Sequence, residues 1–410
     1  MNADTSSHGI TMIEFFSGIG GMRCAIHDAL ERNNEKIMND ECCEVNDDEY
    51  SSNRLNAHWF LQSCTAYEIS LYANQFYSLN FHEPISCFRD DRRNTDGPKK
   101  KHKQKSFSIY TKLIEQLEPE DVHGVDLWTM SPPCQPFTST RNAKQLDSLD
   151  ERCKGFKAIL ALLKMIDDEN KRPKWIFLEN VKGFYGSDML DQWYECLRDC
   201  GYTFEEYLLN PTQLGVPNNR SRYYMVAERS NRFGTLKNSY CTSLPQAFSP
   251  GAVKPLSEYI ITKINKEDLK RYTIPDSVFE TEWAKDLPVV SALDTITHCF
   301  TAAYGRQIHR ATGSLLLMDT SDRTQSVAEN PINRSDMTIY KGKLRRFTEY
   351  ELLHLFGFPR HFQFPENLSL DHRYKLIGNS VNVKVVSFLL QYLLLESKIS
   401  FSGTGKVVSE

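Results

Sequence analysis

The stretch "TMIEFFSGIGG", residues 11–21, decides how the chain is read. "TMIEFF" predicts a short strand, "SGIGG" a turn, and residues 22–30 carry helical spacing. A strand that feeds a helix through a glycine-rich turn opens an α/β layer. Such a turn also lets backbone N–H groups approach a polar or anionic ligand closely. Gly18, Gly20 and Gly21 fit that use, but the full GxGxxG spacing is absent. Taken alone, the turn is equally well explained as an ordinary loop.

The same alternation continues outward. "CTAYEIS" (64–70), "GVDLWTM" (124–130), "KWIFLENV" (174–181), "TFEEYLL" (203–209) and "RSRYYMVA" (220–227) read as strands. Residues 71–79, 155–166 and 189–200 read as helices. Alternating apolar strands and helices predict a parallel-rich sheet covered on both faces. Two polar stretches, 33–56 and 88–105, read as inserted loops. The alternation ends near Ala227, and residues 228–343 are irregular, which suits a second, smaller lobe. "FTEYELLHLFGFP" (347–359) opens a helix with Thr348 as N-cap and Glu351 completing a capping box. "GNSVNVKVVSFLLQYLLLE" (378–396) reads as one long apolar helix. The expected division is therefore 1–227, 228–343, and a segment 344–410 that returns to the first domain.

Composition narrows the class. The 410 residues are 40% hydrophobic and 25% charged, with a net charge of −4. That is ordinary globular usage, and it argues against a chain that coats nucleic acid nonspecifically. Two basic clusters remain, "KKKHKQK" (99–105) and "KGKLRR" (341–346). No apolar run reaches the roughly 18 residues that span a bilayer, so no membrane partner is expected. The 11 cysteines form no CxxC pair, and Cys196 and Cys200 lack a second ligand pair, so neither zinc nor any other metal is expected. Reduced thiols fit a cytoplasmic protein, with the nucleus also open.

Four further stretches could carry chemistry, each with a bland alternative. "SPPCQPFT" (131–138) holds Cys134 between prolines at the end of a strand, where open α/β sheets bind ligands. Cys134 is either packing or a nucleophile. Glu179 in "FLENV" ends another strand; a carboxylate there serves either a salt bridge or a reaction. Arg220 and Arg222 in "NNRSRYY" (218–224) would share one face of a strand, basic surface or site. Glu68 closes "CTAYE" and could hold ribose hydroxyls. It lies 50 residues after Gly18, where about 20 is usual, and the polar stretch 33–56 absorbs the excess.

Taken in order, "EFFSGIGG", "SPPCQPFT", "FLENV", "PNNRSRYYMVA", "RRFTEYELLHLFGFP" and "YKLIGNSVNV" resemble the cytosine-5 methyltransferase family from end to end. "LENVKGF", "HCFTAAYG" and "ATGSLL" resemble its type-2 branch, which has a DNA-methyltransferase fold and acts mainly on tRNA-Asp. The departures are the two polar stretches and the bulky charged residues of "AYGRQIHRATGS".

The resemblance implies a Rossmann-like S-adenosylmethionine-dependent sheet with a target-recognition lobe. It implies methylation of cytosine carbon-5 at position 38 in the anticodon loop of tRNA-Asp, by a monomer that also binds DNA weakly. A DNA cytosine-5 methyltransferase and a catalytically silent homologue are the competing readings. Cys134 would attack carbon-6, Glu179 would hold ring nitrogen-3, and Arg220 and Arg222 would orient the base. Phe16, Ser17, Gly18, Ile19, Gly20, Gly21, Glu68, Ile69, Ile114, Pro133, Asn379, Ser380 and Val381 would surround the cofactor. Gln135, Thr138, Asn180, Cys299, Phe300 and Thr301 would meet the substrate.

Overall fold

The computed structural model describes residues 7–41, 58–83, 85–86, 107–138, 147–233, 240–245, 251–308, 312–318 and 325–396. The predicted loop 88–105, with its "KKKHKQK" run, lies outside them. The chain divides into two compact units. One comprises Met1–Leu208, Arg222–Pro245 and Val386–Glu410; the other comprises Leu209–Ser221 and Gln246–Val385.

The first unit is built on eight strands: β1 (Ser7–Phe15), β2 (His58–Tyr67), β3 (Ile85–Ser86), β4 (Phe107–Tyr110), β5 (Leu127–Met130), β6 (Trp175–Val181), β7 (Thr203–Leu209) and β8 (Arg222–Glu228). They form one sheet in the order β3-β4-β2-β1-β5-β6-β8-β7. The pairs from β3 to β6 are parallel, and β8 runs antiparallel to β6. Registers place Tyr110, Tyr67, Phe15, Met130 and Leu178 in one row across five strands. Four of these strands thus place their next residues, Glu68, Phe16, Ser131 and Glu179, along one row.

Side chains alternate between the two faces. Ile13 and Phe15, Trp128 and Met130, Ile176 and Leu178, and Tyr223 and Met225 face one core with α4 (Lys154–Met165) and α5 (Asp188–Asp199). Phe156, Leu163 and Trp193 fill that core from the helices. A fully buried leucine contributes about 1.5–3 kcal/mol, so this layer anchors the sheet. The opposite face meets α1 (Gly21–Glu41) and α2 (Leu71–Phe81), where Tyr77 of α2 packs with Ala66 and Ile109. A single turn, α3 (Pro119–Val122), precedes β5.

The predicted loop 33–56 is helical in its first part, because α1 continues to Glu41; residues 42–57 lie outside the described set. Asn34 explains the extension: its amide pairs both ways with the backbone of Trp59, at 2.9 Å each, and ties the helix to β2.

The second unit has a three-stranded sheet of β9 (Val289–Val290), β10 (Leu315–Leu317) and β11 (Leu344–Arg346), in the order β11-β10-β9. It carries the short helix α6 (Lys266–Lys270), α7 (Glu349–Leu355) and α8 (Leu370–Asn379). Its core joins Ile274, Phe279, Leu315, Val327 and Leu344. The boundary expected at 343 therefore moves: β11 is a strand of this unit and α7 follows it. Arg345 and Glu351 form a buried two-bond pair at 2.7 Å, and Glu351 also accepts from the N–H groups of Thr348 and Ile261. The capping box predicted at Thr348 is present.

The predicted long helix 378–396 is broken. α8 ends at Asn379, Ser380 is extended, and α9 (Val383–Glu396) starts anew, with Asn382 accepting from Val385 N–H. Residues of α9 from Val386 onward belong to the first unit, where Arg232 donates to the carbonyls of Tyr392 and Leu393. Composition would let an 18-residue part of Leu370–Leu394 cross a bilayer, but 61% of that part is buried and α9 is a core helix.

Removing one partner of a buried ion pair strands the other charge. Glu351→Ala is expected to lower unfolding free energy by about 3–5 kcal/mol in urea titration. A loss below about 1 kcal/mol would show the pair to be dispensable.

Candidate active site

β1 stops because Phe16 turns left-handed, at φ 54°, followed by Gly18 at 53° and Gly20 at 81°. A non-glycine residue in that region is strained and persists only where its surroundings hold it. Here the holds are on the page. Ser17 N–H donates to Tyr67 O at 3.1 Å, and Ser131 Oγ to Phe16 O at 3.4 Å. Glu68 accepts from Gly18 N–H at 3.0 Å on one oxygen and from Ser70 N–H at 2.7 Å on the other. Burial pushes the Glu68 carboxyl above its usual value, against the N–H groups of Ser70, Gly18 and Ile69.

The surroundings fit a nucleoside-bearing cofactor. A Cβ at Gly18 would have Phe16 O, at 4.0 Å, as its nearest neighbour, Ser17 Oγ is buried with no hydrogen-bond partner among the described residues, and Ile69 is 60% exposed beside Glu68. Ile19 is buried, so it offers backbone, and Gly20 is pressed against Phe81 and Tyr77. Gly21 opens α1. Ile114 differs from expectation: it is 4% exposed and belongs to the core, because the turn Ile114–Gln116 packs under α4 beside Phe16.

Beneath this loop lies a buried carboxyl group. Glu14 is fully buried on β1, and its carboxylate accepts from Tyr77 OH at 3.0 Å. Arg23, which pairs with Glu83 at 3.4 Å, packs over the rings of Phe81 and Phe107. Burial pushes the Glu14 carboxyl up to about 8, opposed by Tyr77, Arg23 and the N–H groups of Met22 and Arg23.

Further along the same edge sits Cys134. It is partly exposed and begins a tight turn, Gln135–Phe137, while Pro132 is buried and Pro133 half-buried. Gln135 is exposed, and Thr138 Oγ donates to Gln135 O at 3.1 Å. The neighbouring "LENVKGF" segment clamps this turn. Asn180 Nδ2 donates to Pro132 O at 3.3 Å, Phe137 and Phe184 meet edge-on at 4.9 Å, and a Cβ on Gly183 would lie 2.1 Å from Phe137 O. Asn180 was expected to meet substrate. It is 1% exposed, and its other amide atom accepts from Val181 N–H, so it clamps the cysteine turn instead. Glu179, at 7% exposure, pairs with Arg222 Nε at 3.5 Å. A carboxylate so buried needs such a partner.

Arg220 corrects a second expectation. β8 begins at Arg222, so the two arginines do not alternate along one strand. Arg220 lies in the second unit, 3% exposed, and donates to the carbonyls of Phe300 (2.9 Å), Gly378 (3.2 Å) and Ser380 (2.6 Å). Its NH1 is 3.7 Å from Cys299 Sγ. It therefore draws the "CFT" and "GNS" segments together by their backbones. Phe300 is fully buried against Tyr304 and Phe347, which leaves its side chain no surface for a substrate. Thr301 is half-buried, Asn379 exposed, Ser380 half-buried and Val381 buried, all within that unit.

Three features went unread in the sequence. The Glu14–Tyr77 contact joins residues 63 apart. Gly183 was quoted in "LENVKGF" without its close approach. Asp150 and Arg152, two residues apart in "LDERC", lie on turns packed against the cysteine turn.

Residues 10–394 match the family described as C-5 cytosine-specific DNA methylase. A tRNA (cytosine(38)-C(5))-methyltransferase of Spodoptera frugiperda is 31% identical, over 94% of this chain and 99% of its own. The enzyme of that name from Schizosaccharomyces pombe is also 31% identical, over 95% and 98%. A crystal structure of a Spodoptera frugiperda DNMT2 mutant superposes with a TM-score of 0.66 at 28% identity, covering 94% of this chain and 99% of the other.

Two outcomes test the site's construction. Gly183→Ala is expected to cut any activity that needs Cys134 by tenfold or more, because Phe137 must move. Unchanged activity would show that the clamp tolerates the shift. For Glu14, the folded chain holds a proton up to about pH 8 and the unfolded chain only to about 4.5. Its contribution to stability therefore falls as pH rises through that window. Glu14→Gln should flatten the fall of urea midpoints between about pH 5 and 8; parallel slopes would show that Glu14 does not titrate there.

Proposed function

The chain belongs to the C-5 cytosine-specific DNA methylase family, and from that premise we propose that it methylates cytosine in tRNA, at position 38 of the anticodon loop of tRNA-Asp, through a covalent adduct of Cys134. The observation that carries the chemistry is the clamped cysteine turn beside the Glu179–Arg222 pair at one sheet edge. The substrate class is supported by the two tRNA methyltransferases that align over nearly the whole chain.

Cytosine carbon-5 is a weak nucleophile, and covalent addition elsewhere on the ring overcomes this. The Cys134 thiolate forms a bond to carbon-6. Glu179 holds or protonates ring nitrogen-3, so the electron pair displaced from the ring is stabilised and carbon-5 gains enamine character. S-Adenosylmethionine, when bound, supplies an electrophilic methyl group. Phe16 to Gly21 would cradle its methionine portion, Glu68 would take the ribose hydroxyls, Ile69 would cover the adenine, and Pro133 would complete the contacts of this unit. A base then removes the carbon-5 proton, the carbon-6 to sulfur bond breaks, and Cys134 returns as thiolate. Arg222 aims Glu179. Arg220 acts through the backbone of the Cys299–Thr301 and Ser380 segments. The target base must leave its stack, which costs least in a loop.

The test incubates purified protein with labelled S-adenosylmethionine and either unmodified tRNA-Asp or duplex DNA. Label should enter tRNA and not DNA. Glu179→Gln should lower the rate about a hundredfold or more, and Cys134→Ala should reduce it to background. Label in DNA alone would overturn the tRNA reading, and label surviving in Cys134→Ala would overturn the covalent one.

A further inference from the structure

We propose that a cleft beside α7, within the second unit, binds one unstacked ribonucleotide of an RNA substrate, its base among aromatic rings and its phosphate at Arg360. The base concerned is not the one that is methylated, and the proposal rests on the reading of the substrate as RNA. The cleft has a volume of about 140 Å³. A cavity of about 150 Å³ admits one benzene ring. The space therefore suits a single six-membered ring, such as that of a pyrimidine.

Three short pieces of chain build it. Tyr350, Leu353 and His354 are spaced three and four apart, so α7 presents them on one face. After α7, Gly357 turns left-handed at φ 84°, and Phe358 N–H donates back to Leu353 O at 3.0 Å. That reversal brings Arg360 and Phe362 to the cleft. The third piece holds Tyr259 and Ile261. Ile261 N–H donates to Glu351 of α7 at 2.8 Å, and Glu351 is itself locked by Arg345. The Tyr259 and His354 rings then lie 5.1 Å apart. Leu353 and Phe362 are buried and form the floor; Tyr259, Tyr350 and His354 are half-buried walls; Ile261 and Arg360 are exposed at the rim. Walls fixed in this way exist before a ligand arrives, which lowers the cost of binding one.

The chemistry of the lining favours a nucleotide. Arg360 brings a guanidinium, and none of the lining residues carries a carboxylate. The acidic residues next to them in sequence are neutralised: Glu258 pairs with Lys254 at 2.8 Å, Glu349 with Arg373 and Glu351 with Arg345, each at 2.7 Å. An anionic ligand therefore meets one cation and no opposing charge. Burial, with Arg360 beside it, holds the His354 imidazole below its usual value, so at pH 7 that wall is an uncharged ring. Aromatic faces accept any base by stacking, and arginine adds a charge-assisted contact to phosphate. Bases free to enter such a cleft occur in RNA loops and bulges, where they are splayed from the stack. An apolar peptide side chain would use the rings and not the charge.

The test reads binding without methyl transfer. Full-length protein is titrated, with no S-adenosylmethionine present, into a short fluorescent single-stranded oligouridylate, and anisotropy is followed at several salt concentrations. Tyr350→Leu should weaken binding about fivefold or more at every salt concentration. Arg360→Gln should weaken it and make the slope of log affinity against log salt shallower by about 0.7, and Arg360→Lys should keep the slope. Thermal melts confirm that the variants fold. With 4-thiouridine in the probe, ultraviolet crosslinks should map by mass spectrometry to the peptides holding Tyr259, Tyr350 or Phe362. Unchanged binding in both the Leu and Gln variants, or crosslinks that fall only elsewhere, overturns the proposal. A loss in Arg360→Gln alone overturns the base site and leaves a surface phosphate contact. Duplex RNA that binds as tightly as the single strand also overturns it, since no base would be unstacked. Because binding is read apart from methyl transfer, a chain that methylates DNA and not tRNA would sink the proposed function without deciding this result.

Discussion

The register of the parallel strands is the constraint on which the site depends. Phe15 pairs with Tyr67 on one side and Met130 on the other, and Met130 pairs with Leu178. A slip of one residue in any strand would turn its whole apolar set to the other face of the sheet. The core formed by Ile13, Trp128, Ile176 and Tyr223 against α4 and α5 prevents that slip. The packing of that layer therefore decides that Glu68, the Phe16 loop, the Cys134 turn and Glu179 lie along one edge. Loops supply the reactive groups, but the register aligns them.

What is buried at that edge is held by backbone more than by side chains. Glu68 spends both oxygens on N–H groups, Asn180 reaches a carbonyl, and Gly183 lies against another. In the second unit Arg220 does the same with three carbonyls. A buried polar group left unmatched costs more than a matched one gains. Each such contact therefore specifies one conformation of its loop and rejects others. That is how strained positions such as Phe16, with φ of 54°, are maintained without regular secondary structure.

Periodicity made the first unit readable. The strands holding Phe15, Met130 and Leu178 and the helices α4 and α5 have strong alternation or helical spacing, and sequence reading located them to within a few residues. β3 and β4 were missed because they have two and four residues and flank a polar stretch. The break at Ser380–Asn382 was missed because Val381 and Val383 continue the apolar pattern while Asn382 ends it through a side-chain cap, a local bond that composition does not show. The functional residues divided in the same way. Cys134 and Glu179 could be named because a polar group at the end of an apolar strand stands out. Asn180 and Phe300 carried the same motif signal, yet their roles turn on burial, which no motif reports.

Arg220 and Arg222 show why spacing alone misleads at such a site. Residues two apart share a face only if both lie in a strand. Here β8 begins at Arg222, and Asn210 holds the approach to it, its side-chain oxygen accepting from Arg220 N–H and its nitrogen donating to Ser221 Oγ. The backbone before Arg222 is thus bent by local polar bonds, and one arginine goes to a carboxylate while the other goes to a cluster of carbonyls. Identical side chains acquire different work from their neighbours: beside a carboxylate a guanidinium tunes charge, and among carbonyls it fixes shape. The second use requires Arg220 to be buried, with both terminal nitrogens donating to carbonyls.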